Sequence, residues 1–102
     1  MLFAIRFTDH PTAFNVRKQY LHPHLEWLKQ KRDVIKAAGS LREKHSDQPV
    51  GALWVVDAEN EEDALSIFSD DPFWLYGLRA SVEVLSWSLA FEDMLEESKK
   101  PA

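Results

Sequence analysis

Cysteine is missing from this 102-residue sequence. That excludes a disulfide framework, a thiol nucleophile and thiolate metal sites, and it fits a reducing compartment. Glycine is scarce: the three residues Gly39, Gly51 and Gly77 stand alone, so no glycine-rich phosphate loop is encoded. Basic residues are outnumbered, twelve Lys and Arg against seventeen Asp and Glu, for a formal charge of −5. A nucleic-acid binder needs a basic face that this balance does not supply, and an anionic membrane surface is disfavoured for the same reason. No apolar run approaches the roughly 18 residues of a membrane helix. The apolar start, Met1 to Ile5, is cut by Arg6 and lacks the basic leader and length of a signal peptide. These absences predict a cytoplasmic protein that binds neither nucleic acid nor membrane. A Gly-x-Ser-x-Gly elbow is absent as well.

What is abundant is aromatic: four Trp, two Tyr and six Phe. A domain of this length supports one thin core, so some of these rings are expected at a partner interface or in a pocket. Residues 1–98 form one domain in this reading, with 99–102 as a frayed tail. Leu2 to Thr8 reads as a central strand. Thr12 to Ala38 reads as helical, because Leu21, Leu25, Leu28 and Ile35 share one face. Pro23 either splits or kinks this helix. The stretch Ala37 to Arg42 reads as a helix end with glycine near the cap, running into a second strand. Gly51 to Asp57 is the strongest strand. Asn60 followed by Glu61, Glu62 and Asp63 is a capped helix start, and Ala64, Leu65 and Phe68 give that helix its apolar face. Phe73 to Leu78 reads as an aromatic loop, Arg79 to Trp87 as the last strand, and Phe91 to Ser98 as a short C-terminal helix.

The resulting order, βαββαβ, is that of an α+β ferredoxin-like sandwich with an antiparallel four-stranded sheet. Its helices cover one face of the sheet only. The other face must also be covered, and the chain has no segment left for it. A second copy of the same face supplies the simplest cover, giving a homodimer.

Two features carry candidate chemistry. His24 lies three residues after Leu21 and four before Leu28, so it projects toward the sheet. It is there either as a satisfied core residue or as an acid–base group lining a pocket. Asp71, ahead of Pro72 and Phe73, either shapes a turn or orients a histidine as the acid does in hydrolytic triads. In this fold the two elements lie on the same side of the sheet, which makes a His24–Asp71 contact feasible. His22-x-His24 points its rings in different directions on a helix and is a poor metal pair. No metal and no cofactor is expected.

The sequence resembles the YciI-like (YCII-related) proteins of the dimeric α/β-barrel superfamily. The resemblance spans residues 1 to 87. It rests on Arg17, His24-Leu25-Glu26-Trp27-Leu28, Ala38-Gly39-Ser40-Leu41, Gly51 to Val56, Ala64, Asp71-Pro72-Phe73, Val82-Glu83-Val84 and Trp87. Pro23 before the histidine and Ser40 after the glycine depart from that pattern. The resemblance implies a dimer with facing sheets and a pocket holding a histidine–aspartate pair, here His24 and Asp71, with Arg17 at a recurrent basic position. It also implies elimination or isomerisation chemistry, since one branch of the family removes chloride from chlorinated aromatic diols. On this reading His24 shuttles a proton, for which histidine is suited near neutral pH, and Asp71 fixes its orientation. Arg17 or Arg79 holds a carboxylate or phenolate of a small-molecule ligand. Ser40, Trp54 and Phe73 complete the binding wall, together with Trp27 and Trp74. The alternative is a ligand-binding or assembly module that uses the same pocket without turnover.

Overall fold

The computed structural model describes residues 1–95. The elements run β1 (Leu2–Asp9), α1 (Phe14–Gln30), β2 (Ile35–Arg42), β3 (Pro49–Asp57), α2 (Glu61–Ser66), α3 (Pro72–Leu75) and β4 (Arg79–Trp87). The strands form one sheet in the order β2-β3-β1-β4 with every neighbour antiparallel. This is the α+β ferredoxin-like arrangement, with one short extra helix before the last strand.

Strand alternation sorts the side chains. Phe3, Ile5, Phe7 and Asp9 of β1 are buried, and the partners of the first three in β3 are Val56, Trp54 and Ala52. On β4 the same side carries Val84 and Val82. Trp54, Phe7 and Phe68 meet edge-on, with Phe7 4.7 Å from Trp54 and 5.1 Å from Phe68. Such pairs add about 0.5–1.5 kcal/mol each beyond the area they bury. Gly51 is required where β3 passes β1, because a Cβ there would collide with the carbonyl oxygen of Phe7. Gly77, at φ 79°, makes the left-handed turn from α3 into β4.

Several expectations need correction. Pro23 lies within one continuous helix that ends at Gln30, not Ala38. Ile35 to Ala38 belong to β2. Val34 and Ile35 donate their backbone N–H groups back to the carbonyl of Lys31, at 3.0 and 2.8 Å, closing a turn that no glycine or proline announces. The register then slips between Ile35 and Ala37, so that Ala38 and Ser40 stand opposite Trp54 and Ala52. Leu21, Leu25 and Leu65 are exposed rather than core residues. The stretch read as an aromatic loop begins with the helical turn α3, since Pro72 suits a first helical position. Phe91 to Leu95 form a bend and turns instead of a helix. The remainder of that expected helix and the 99–102 tail lie outside the described residues.

The opposite face of the sheet carries Leu53 and Leu85, both exposed, together with Val55, buried but outside the main core cluster. No described helix is long and apolar enough to cross a membrane.

Candidate active site

One stripe of α1 builds the site. Arg17, Tyr20, His24 and Trp27 follow each other at three- and four-residue steps, and so line one side of the helix. Each meets a partner in the segment around α3 or at the end of β1. Tyr20 stacks on Tyr76 at 4.0 Å with the rings 3° from parallel. Trp27 donates its Nε1–H to Asp70 at 3.0 Å. His24 Nδ1 and Asp71 Oδ1 are 2.7 Å apart.

Asp71 is held by its own backbone surroundings as well as by His24. It is the N-cap of α3, and its Oδ1 also accepts the backbone N–H of Phe73 at 3.1 Å. Pro72, which follows it, has no N–H to compete. The carboxylate is fully buried, and His24 is 6% exposed. The imidazole lies flat on Phe73, with ring centres 4.0 Å apart and planes 15° from parallel, and the Trp27 and Trp54 rings stand beyond. A ring this confined has one orientation. Because Nδ1 faces the carboxylate, it carries the proton, and Nε2 is the nitrogen left for another partner.

His24 borders a cavity of about 130 Å³ between α1 and strands β2 and β3. Arg17, Ser40, Trp54 and Arg79 line it, and Leu21, Leu25 and Leu28 form its rim. The half-exposed leucine stripe thus serves as a cavity edge. Of the predicted site residues, Asp71 and Phe73 do not line the cavity. They stand behind His24, where they hold and stack on it. Ser40 borders the cavity while accepting a hydrogen bond from Arg42 Nη1 at 2.6 Å. Trp74 packs edge-on against Phe68, 4.7 Å away, and is not on the cavity wall.

The residue that sequence reasoning missed is Asp9. Its Oδ2 accepts from Arg17 Nη2 at 2.7 Å and its Oδ1 from Arg79 Nη1 at 2.8 Å. A register shift between Thr8 and Asp9 sets Arg79 directly opposite, a common use of a bulge beside a functional site. The guanidinium carbons of both arginines lie over the Phe73 ring, at 5.2 and 5.3 Å from its centre, and that of Arg79 also lies over Phe7 at 4.5 Å. Burial pulls the Arg79 pKa below its ordinary value; its hydrogen bond to Asp9 and the charges of Asp9 and Asp71 oppose that pull, while the charge of Arg17 adds to it. Parity was the available signal: Asp9 continues the inward row Phe3, Ile5, Phe7. His10, His22 and His45 are exposed. Among the described residues no three His, Asp or Glu side chains gather as metal ligands.

The model of the YCII-related domain matches residues 1–88. No curated protein sequence matches the chain. Among solved structures, 5-chloro-2-hydroxyhydroquinone dehydrochlorinase from Burkholderia phenoliruptrix, in complex with 2,5-dihydroxybenzoquinone, is 27% identical and superposes with a TM-score of 0.77 over 86% of this chain and 94% of that one. A provisionally assigned antibiotic biosynthesis monooxygenase from Bacteroides thetaiotaomicron is similar in fold, at 14% identity and a TM-score of 0.55 over 89% of this chain and 90% of that one. So is protein Atu4242 from Agrobacterium tumefaciens, at 14% identity and a TM-score of 0.51 over 88% and 94%.

Proposed function

The chain belongs to the YCII-related domain family, and from that membership we propose that it is an enzyme of redox-neutral acid–base chemistry, eliminating a small leaving group from a hydroxylated aromatic ring. His24 is the base, Asp71 orients it, and Arg17 and Arg79 hold the ring's oxygens. The carrying observation is the 2.7 Å contact that engages Nδ1 with a buried carboxylate and leaves Nε2 beside a cavity walled by two guanidiniums. In such an elimination the ring first takes its keto form, one hydroxyl proton passing to the carbon that bears the leaving group; a second hydroxyl then loses its proton to Nε2, its oxygen's electron pair moves into the ring, and the leaving group departs with the electrons of its bond. A base and a positive environment supply all of this, so the reading requires neither metal nor organic cofactor. The substrate class comes from the Burkholderia dehydrochlorinase.

The test is chloride release. The purified protein with 5-chloro-2-hydroxyhydroquinone is expected to liberate chloride, followed by ion chromatography, in step with product absorbance. No release from this compound or from a panel of hydroxylated chloroaromatics would defeat the proposal.

The second copy belongs on the open sheet face. Leu53 and Leu85 are 39% and 56% exposed there, on the side away from the helices. Light scattering is expected to give twice the chain mass for the wild type and the single-chain mass for Leu85→Asp. A monomeric wild type at micromolar concentration would remove the dimer.

A further inference from the structure

We propose that the substrate carries a carboxylate on a short arm, and that Lys18 and Arg42 receive it in an outer chamber opening from the cavity beside His24. This rests on the reading of that cavity as the site of reaction, and it narrows the substrate from any hydroxylated ring to an acidic one.

Size comes first. The cavity that His24 borders, about 130 Å³, is close to the roughly 150 Å³ that takes a single six-membered ring. Small-molecule sites usually offer roughly 300–1,000 Å³. A second chamber of about 390 Å³ shares Arg17, Leu21 and Ser40 with the first and is completed by Phe14, Lys18, Arg42 and Pro49. It also explains a stripe that the core does not use. Phe14, Lys18, Leu21, Leu25 and Leu28 succeed each other along α1 at four- and three-residue steps, and Phe14, Leu21 and Leu25 are exposed. Together they wall the two chambers on the helix side.

Charge comes second. In a chain of formal charge −5, three of the seven residues lining the outer chamber are cations and none is acidic. Arg17 is spent on Asp9. Lys18 and Arg42 have no carboxylate within ion-pair distance among the described residues. Glu43, next in sequence to Arg42, borders a different groove. A cleft of one sign with apolar walls concentrates the opposite charge. Arg42 is also set in advance: its Nε–H donates to the backbone carbonyl of Asp47 at 3.0 Å, and its Nη1 to Ser40 at 2.6 Å. Both acceptors are neutral. They order the guanidinium without meeting its charge, which lowers the entropic cost of binding an anion there. Ser40 borders both chambers, so an arm leaving the ring passes it on the way to Arg42. The far end of the leucine stripe carries cations too, but His24 does not border that stretch, and Lys29 there is paired with Glu26.

Calorimetric titration at pH 7 with 3-(2,5-dihydroxyphenyl)propanoate and its methyl ester tests this. The two share ring and arm and differ by one charge, since the ring hydroxyls stay protonated at that pH. The acid is expected to bind about 10-fold more tightly, which two partly exposed ion pairs supply together, and the margin should shrink at high salt. Arg42→Gln and Lys18→Gln are each expected to reduce the margin, and the double variant to erase it. Both side chains are exposed; Lys18→Gln breaks no hydrogen bond of the fold and serves if the Arg42 variant does not fold. Arg32→Gln, at the far end of the stripe, should leave the margin intact. Equal affinity for acid and ester, a margin that survives in the folded Lys18 and Arg42 variants, or one lost with Arg32→Gln would each overturn the carboxylate site. Chloride release that persists alongside equal affinities would remove this site and leave the elimination standing. A margin that depends on Lys18 and Arg42 in a protein that releases no chloride would keep the site while the elimination fell.

Discussion

Exchanging Asp71 for asparagine is expected to lower kcat/KM for chloride release by about two to four orders of magnitude, the range that a positioned acid–base group contributes. The substitution keeps the shape of the side chain and removes its charge. The carboxylate can only accept at Nδ1, which forces the proton onto that nitrogen and leaves Nε2 as the base. An amide can turn its NH2 group toward Nδ1 instead. The tautomer then reverses, Nε2 carries the proton, and the ring has nothing with which to abstract another. Folding is expected to survive, because turning the amide forfeits only the Phe73 N–H bond that Oδ1 now accepts, about the 0.5–2 kcal/mol of a lost cap. His24→Gln should fall to a similar level. The double variant should be no worse than either single one, since the two residues act as a unit. The alanine variant is a poorer choice. It empties the space beneath Phe73 and strands a buried carboxylate, so lost turnover would be confounded with lost structure. A fully active Asp71→Asn, with wild-type circular dichroism, would show that His24 is a core residue that happens to touch an acid.

The pairing of His24 with Asp71 was legible as a possibility, and the reasons are physical. Helix periodicity placed His24 toward the sheet, and the sequence Asp71-Pro72-Phe73 marked a capped turn on the same side. The strands were legible because β1 and β3 are central and written in aromatic and branched residues. Three things were not. The end of α1 was hidden because Val34 and Ile35 continue the apolar period of Leu21, Leu25 and Leu28, while the turn itself is made by the Lys31 carbonyl with no sequence punctuation. The buried stripe of α1 was hidden because hydrophobicity picks out the leucines. The residues actually facing inward, Arg17, Tyr20, His24 and Trp27, have polar tips that burial tolerates only once partners are in place. Those partners are 8 to 56 positions away, beyond the reach of any local pattern. Asp9 was hidden by composition, since Asp-His-Pro reads as a turn, and only extending the strand by one residue turns it inward.

Asp9 is also where the largest stability effect is expected. Asp9→Ala would leave two guanidiniums packed on Phe73 with no hydrogen-bonded counterion, and their side chains are 11% and 2% exposed. Removing one partner of a buried ion pair costs about 3–5 kcal/mol. For a domain near 100 residues, where each kcal/mol moves the midpoint by roughly 4–8 °C, the loss is on the order of 20 °C in a thermal melt. The arithmetic favours loss of the ion pair over loss of packing, because the deleted side chain is small and the charges it leaves are not. Two further measurements separate the causes. Asp9→Asn, which keeps the volume and one acceptor oxygen, should recover part of the stability. Asp9→Ala combined with Arg79→Met should be less damaging than the sum of its parts, since the second change removes a charge that the first had stranded. The alanine variant should also respond to anions: 2,5-dihydroxybenzoquinone would sit against the freed guanidiniums and raise its midpoint more than that of the wild type, by mass action on the folded state. A melt for Asp9→Ala within a few degrees of wild type would mean that water reaches the two arginines freely. The cavity would then be an open surface groove in which neither the imidazole nor the guanidiniums gain the strength that burial gives them.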